Sequence, residues 1–206
     1  MEFVKFFQSG GPFMYVILVV FAFGVAITIE RLIFITTTQS KINKLWKQVT
    51  PMLKANDFNR ADEFLQPLKN PLATVLQYGL AKAHGKAKRE SIEAAIEEGV
   101  MEVIPDLDQR THYLATLANI ATLLGLLGTI IGLIQAFTAV ASADPAEKAD
   151  LLSASISVAM NTTAFGLVAA IPMIMVHSYL ATKATKLADN IEMAAVKCLN
   201  LLSADD

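Results

Sequence analysis

Thr122, Thr129, Ser155, Thr162 and Thr163 bring hydroxyl groups into stretches of chain otherwise built from apolar residues. Hydroxyl and carbonyl oxygens suit a hard cation, whereas an apolar wall offers it nothing. For each residue the alternative is a bond to the carbonyl one turn back along its own helix. What sets the group apart is its placement beside small residues. Ala118, Ala121, Gly125, Gly128, Gly132, Ala136 and Ala139 recur at helical spacing and fall on one side, with Thr122 and Thr129 at its edge. Leu123, Leu127, Ile130, Ile131, Ile134 and Phe137 fall on the other. Further on, Ser155, Ala159, Thr162, Gly166 and Ala170 form a second small strip, with Thr163 beside it. In a bilayer, faces without side-chain bulk mark where helices meet.

Enzyme chemistry finds little to use. His84, His112 and His177 share no face with another His, Asp or Glu at ligand spacing. Gly125, Gly128 and Gly132 lie inside an apolar helical stretch with no strand before them, which argues against a nucleotide loop. Cys198 is the only cysteine, so neither an intrachain disulfide nor a cysteine metal cluster can form. No enzyme and no resident cofactor is expected.

The elements that must position the hydroxyls are membrane helices. The chain has 206 residues, of which 54% are hydrophobic and only 17% charged. Gly11 to Ile29, Leu114 to Ala143 and Leu151 to Thr182 are each long enough to cross about 30 Å of hydrocarbon. The first run ends in Glu30-Arg31 without a small-x-small cleavage site, so it reads as a retained span and not a signal peptide. The expected organisation is an outer-surface segment (1–10), a first span (11–38), a helical cytoplasmic region (39–113), a second span (114–143), an outer loop (144–150), a third span (151–182) and a helical tail (183–206).

Phe3, Val4, Phe6 and Phe7 precede Gly10-Gly11-Pro12 and read either as an interfacial helix or as a frayed terminus. In the middle region Ile42, Leu45, Trp46, Val49 and Leu53 keep amphipathic spacing. Short helices are expected from Asp57 to Leu65 and from Pro71 to Gly85. A fourth starts near Ser91, kinks at Pro105 and runs on through Leu107 and Tyr113 into the second span. The third span continues through Leu187, Ile191, Ala194 and Leu201. The fold class is thus all-α: an integral membrane protein with three transmembrane helices, the second and third extended into a cytoplasmic helical bundle.

Basic residues orient the chain. Lys41, Lys44, Lys47, Lys54, Arg60, Lys69, Lys82, Lys86, Lys88, Arg89 and Arg110 lie between the first two spans, and Lys183, Lys186 and Lys197 in the tail. The 144–150 loop has only Lys148, beside Asp144, Glu147 and Asp150. The middle region and C-terminus are therefore expected in the cytoplasm and the N-terminus outside. Glu30 and Arg31, near the cytoplasmic end of the first span, read as an interfacial charge pair, with each other or with a neighbour. Asn161 points to another side of its helix and suits an interhelical hydrogen bond; His177 reads either as an interfacial residue or as a proton relay. No Asp or Glu lies deep in a span. If ions cross, the carboxylate that carries them must come from another chain.

Gly125-Leu126-Leu127-Gly128-Thr129-Ile130-Ile131-Gly132-Leu133, followed by Thr162-Thr163-Ala164-Phe165-Gly166-Leu167-Val168-Ala169-Ala170-Ile171-Pro172, resembles the MotA/TolQ/ExbB ion-channel family. Glu30-Arg31-Leu32 fits as well, and three spans with an outer N-terminus resemble the ExbB/TolQ branch. The resemblance implies a bacterial inner-membrane homo-oligomer, a ring of five subunits. The ring surrounds the single spans of an ExbD/TolR-like partner whose membrane Asp binds the ion. H+ or Na+ flow then energises an outer-membrane process such as TonB-dependent import through a TonB-like protein; no nucleic acid is involved. Thr129 and Thr163 become the pore threonines with Thr162 beside them, and Thr122 and Ser155 join the same path. Gly125, Gly128, Gly132 and Gly166 become the packing positions.

One departure bears on the ion. Proton-driven members have a glutamate early in the third span, where this chain has Val158. The Thr162-Thr163 pair is similar to that of sodium-driven members, which implies a transient Na+ at Thr129, Thr162 and Thr163. The competing reading of the whole chain is a non-conducting scaffold that clusters a single-span partner.

Overall fold

A computed structural model describes Phe7, residues 10–85 and residues 87–203. Phe3, Val4, Phe6 and Lys86 lie outside the described residues. The described chain is helical: α1 (Phe13–Lys54), α2 (Phe58–Leu65), α3 (Pro71–His84), α4 (Arg89–Asp108), α5 (Thr111–Ala141) and α6 (Lys148–Leu202). Three stretches, α1, α4 with α5, and α6, are long and apolar enough to cross a membrane. Only 17%, 22% and 33% of their most apolar windows is buried within the chain. The remaining apolar surface requires lipid or further helices around it. The protein is a multi-pass membrane protein.

Helix boundaries follow local chemistry. Asp57 caps α2 by accepting from the Arg60 backbone N–H at 3.3 Å. Asn70 caps α3 by accepting from the Leu72 N–H at 3.0 Å, and Pro71 begins that helix where no N–H is missed. The first span and the amphipathic stretch around Trp46 form one unbroken helix of 42 residues. Its Pro51 falls in the last turn, where the helix ends three residues later.

One expectation is corrected. The fourth helix does not run unbroken into the second span: α4 ends at Asp108 and α5 starts at Thr111. The break comes at Gln109 and Arg110, where Arg110 adopts φ 65°, a left-handed conformation that ends helical bonding. Pro105 is tolerated within α4 on an exposed position. α5 ends at Ala141 and α6 starts at Lys148, so residues 142–147 join them.

Two compact units divide the chain. The first comprises the residues up to Glu30 and Arg110–Tyr179. Its core sets Met14 and Ile17 of α1 against Ala118 and Ala121 of α5 and Phe165, Ala169, Ala170 and Met173 of α6. The second comprises Arg31–Gln109 and the residues from Leu180 onward. Its core is aliphatic, with Leu53, Leu65, Leu72, Leu76, Leu80, Leu187 and Ile191 fully buried. Burying side chains of this size stabilises by about 1.5–3 kcal/mol each before conformational entropy is charged against it.

Candidate functional site

The site grows from the small residues of α5 and α6. Ala118, Ala121, Gly125, Gly128 and Ala136 are buried, whereas Leu123, Leu127, Ile130, Ile134 and Phe137 on the opposite side are exposed. The face runs out at its end: Gly132 is half-buried and Ala139 exposed. Across from it, α6 presents Ala159, Thr162, Gly166 and Ala170, all buried. A Cβ placed on Gly125 would stand 3.2 Å from the Thr163 Cα and 3.3 Å from the Gly166 Cα. One on Gly166 would stand 2.8 Å from the Ala121 carbonyl oxygen. Backbone meets backbone at this crossing, so only glycine fits either position.

The close approach brings hydroxyls from both helices onto one acceptor. The Thr163 hydroxyl donates across to the Gly125 carbonyl oxygen at 2.9 Å. The Thr129 hydroxyl donates to the same oxygen from within α5 at 3.1 Å. Thr129 and Thr163 also hydrogen-bond each other. Two hydroxyl protons cannot serve three such contacts at once, so at least one hydroxyl oxygen keeps its lone pairs for a further donor or a cation. Both threonines are half-buried.

The remaining predicted site residues are placed differently. Thr162 is 2% exposed and lies on the packing strip itself, its methyl against Gly128. Its hydroxyl donates to the Gly10 carbonyl at 2.6 Å, and a second contact runs to the Val158 carbonyl one turn back. Thr122 is exposed and donates to the Ala118 carbonyl one turn back at 3.1 Å. Ser155 is half-buried and Val158 exposed. Asn161 and His177 are both half-buried. The structure therefore brings Thr129 and Thr163 together and leaves Thr122 and Thr162 apart from that pair.

Glu30 faces Arg110 at 3.7 Å, the two side chains 43% and 57% exposed. Arg31 is buried, donates to the Leu107 carbonyl and lies over the Phe34 ring at 4.6 Å from its centre. Stacking of this kind lets a guanidinium sit in an apolar setting.

Sequence reasoning missed two backbone acceptors, the Gly125 and Gly10 carbonyls. Gly11, at φ 74°, hints at the second, because that turn carries the Gly10 carbonyl to Thr162. Phe7 is near the same turn, edge-on to Tyr15 and Phe165 at 5.1 and 5.5 Å between ring centres. Among the described residues, no group of three or more His, Cys, Asp and Glu is placed to hold a metal ion.

Comparison with known proteins matches residues 67–193 to the model of the MotA/TolQ/ExbB proton channel family. The matched stretch contains the whole Thr129–Thr163 cluster. A biopolymer transport protein ExbB homolog of Methanothermobacter thermautotrophicus is 27% identical over 92% of this chain and 67% of its own length. An ExbB-like biopolymer transport protein of Synechocystis is 29% identical over 74% of this chain and 72% of its own. A Tol-Pal system protein TolQ of Haemophilus influenzae is 36% identical over a shorter stretch, 39% of this chain and 35% of its own length. A family match over more than half the chain, centred on the glycine-packed crossing and its two threonines, makes this chain a member of the MotA/TolQ/ExbB proton channel family.

Proposed function

We propose that the chain is the ring-forming subunit of an ion-driven motor in the bacterial inner membrane. The N-terminus and the loop before α6 lie on the periplasmic side, and residues 39–113 and 183–206 lie in the cytoplasm. Several copies, five by resemblance, surround an ExbD/TolR-like single-span partner that supplies the membrane carboxylate. H+ or Na+ flow past the partner then energises a TonB- or Tol-type process at the outer membrane. One elementary charge crossing 100 mV releases about 2.3 kcal/mol, several times thermal energy.

The observation that carries this reading is the convergence of Thr129 and Thr163 on the Gly125 carbonyl. It places three oxygens at one point of a helix crossing that is otherwise apolar. The charge asymmetry of the loops supports the orientation. The absence of an Asp or Glu deep in any span supports a partner-borne carboxylate.

The test is ion flux into proteoliposomes containing this chain and its single-span partner. Replacing both Thr129 and Thr163 by Val is expected to abolish flux while the complex still copurifies. Undiminished flux would remove the two threonines from the ion path, whereas no flux through the parent complex, or transport-dependent growth that survives the double replacement, would return the chain to the scaffold reading. The same assay with and without Na+ distinguishes the two ions.

A further inference from the structure

The second compact unit has two grooves of opposite charge on two different seams. Asn190 of α6 donates to Gln39 of α1, and Arg89 of α4 donates to Asn200 of α6. Gly79 of α3 packs on Ile96 of α4, and the α2–α3 segment lies along α1. The α4/α6 groove and the α1/α2–α3 groove are lined by different helices and share no residue.

The α4/α6 seam holds a groove of about 450 Å³ lined by Glu93, Glu97 and Glu192 around an apolar floor. Met101 and Val196 line it and are 72% and 58% exposed, unusual for apolar side chains outside a membrane span. Between Arg89 and Asp108 the chain carries seven carboxylates and one basic residue. The second groove, about 540 Å³, is lined by Lys41, Lys44 and Lys69 beside the exposed Leu68. From Arg31 to Lys54 there is no Asp or Glu at all.

We propose that the acidic α4/α6 groove of one copy receives the basic α1/α2–α3 edge of a second copy, head to tail. Each partner of this contact matches the other in charge, and each brings an apolar centre inside its charged rim, the usual anatomy of a protein interface. The two patches differ, so the contact is heterologous. Such a contact leaves an unpaired patch at each end of the assembly until it closes as a ring. The inference rests on the ring-forming reading above and assigns the surfaces that build the ring.

The experiment uses the full chain in membranes and a short bis-maleimide linker. The variant Met101→Cys/Leu68→Cys is expected to give a ladder extending past the dimer. Met101→Cys alone and Leu68→Cys alone are expected to stay monomeric, and a mixture of the two single variants to stop at dimers. Lys44→Glu should remove the ladder, and adding Glu97→Lys to the same chain should restore it. A double-cysteine variant that remains monomeric overturns the proposal, as does Met101→Cys linking to itself. Linkage to a different protein without a ladder also overturns it and gives the groove to that protein. Because the readout is linkage and not flux, a ladder without conduction would sink the motor reading while leaving this interface standing.

Discussion

The hydroxyls of Thr129 and Thr163 reach the same backbone oxygen, that of Gly125, from two different helices. Of the two bonds to that oxygen only the one from Thr163 crosses from α6 to α5, while the contact between the two hydroxyls is lost with either residue. Thr163→Val is expected to lower stability by about 1 kcal/mol more than the loss of that shared contact, the usual net worth of one hydrogen bond. Thr129→Val, which loses the shared contact and a bond within its own helix, should cost less. Thr163→Ser keeps the donor and should stay near the parent. Unfolding in mild detergent checks all three, and equal losses for the two Val variants would contradict the asymmetry.

Glycine positions at the crossing differ in what they touch. A methyl at Gly125 or Gly166 meets backbone atoms of the facing helix, which cannot step aside. Gly125→Ala or Gly166→Ala is therefore expected to cost about 1–3 kcal/mol and to reduce the yield of folded protein. A methyl at Gly24 meets the side chain of Met173, which has rotamers to spare. Gly24→Ala should cost visibly less, as read from thermal midpoints in the same detergent.

Arg110 combines a left-handed backbone with a solvent-exposed pairing to Glu30. An exposed pair is worth about 0.2–1 kcal/mol, and a non-glycine left-handed residue costs about 1–2. These offset, so Arg110→Gly is expected to leave stability within about 1 kcal/mol of the parent. Arg110→Val keeps the strain, adds a branched Cβ and loses the pair, and it should be the clearly weaker variant. A Val variant as stable as the Gly variant would remove the strain argument.

Tyr78 donates to the Glu102 carboxylate at 2.7 Å. That bond, followed by the charge of Glu102, holds the phenol above its ordinary value of 10.0. A group raised in the folded state contributes stability fully below its unfolded value and loses it as pH rises through the folded one. Alkaline titration should thus weaken the parent above about pH 10, and Tyr78→Phe should weaken less steeply there. Ultraviolet titration of Glu102→Gln should find the phenol ionising at lower pH.

Cys198 is fully buried, and burial pushes its thiol up to about 12. The thiolate is the reactive form, so maleimide should fail to label native protein at pH 8 and label it fully after denaturation. Rapid native labelling would mean that the end of α6 opens far more readily than its packing allows.

Most of the fold was legible because hydrophobic period, length and charge are local properties. The Ala118 to Ala136 face, the short helices beginning at Asp57 and Pro71, and the three membrane-length stretches all follow from spacing and local residue type. The helix break was not legible. Pro105 is the visible breaker, yet α4 accepts it, and the chain turns instead at Arg110, which carries no such signature.

The site divides the same way. Residue order determined that hydroxyls would lie beside small faces on two helices, because side-chain direction repeats every 3.6 residues whatever the surroundings. Only the tertiary structure decided which hydroxyls meet. Thr162 and Thr163 are neighbours in sequence, but a step of about 100° along the helix sends Thr162 to the Gly10 carbonyl and Thr163 to Gly125. The partner of each depends on how closely and in what register two backbones cross. That register is set by glycine contacts between residues some forty positions apart, such as Gly125 and Gly166, and no local pattern encodes it.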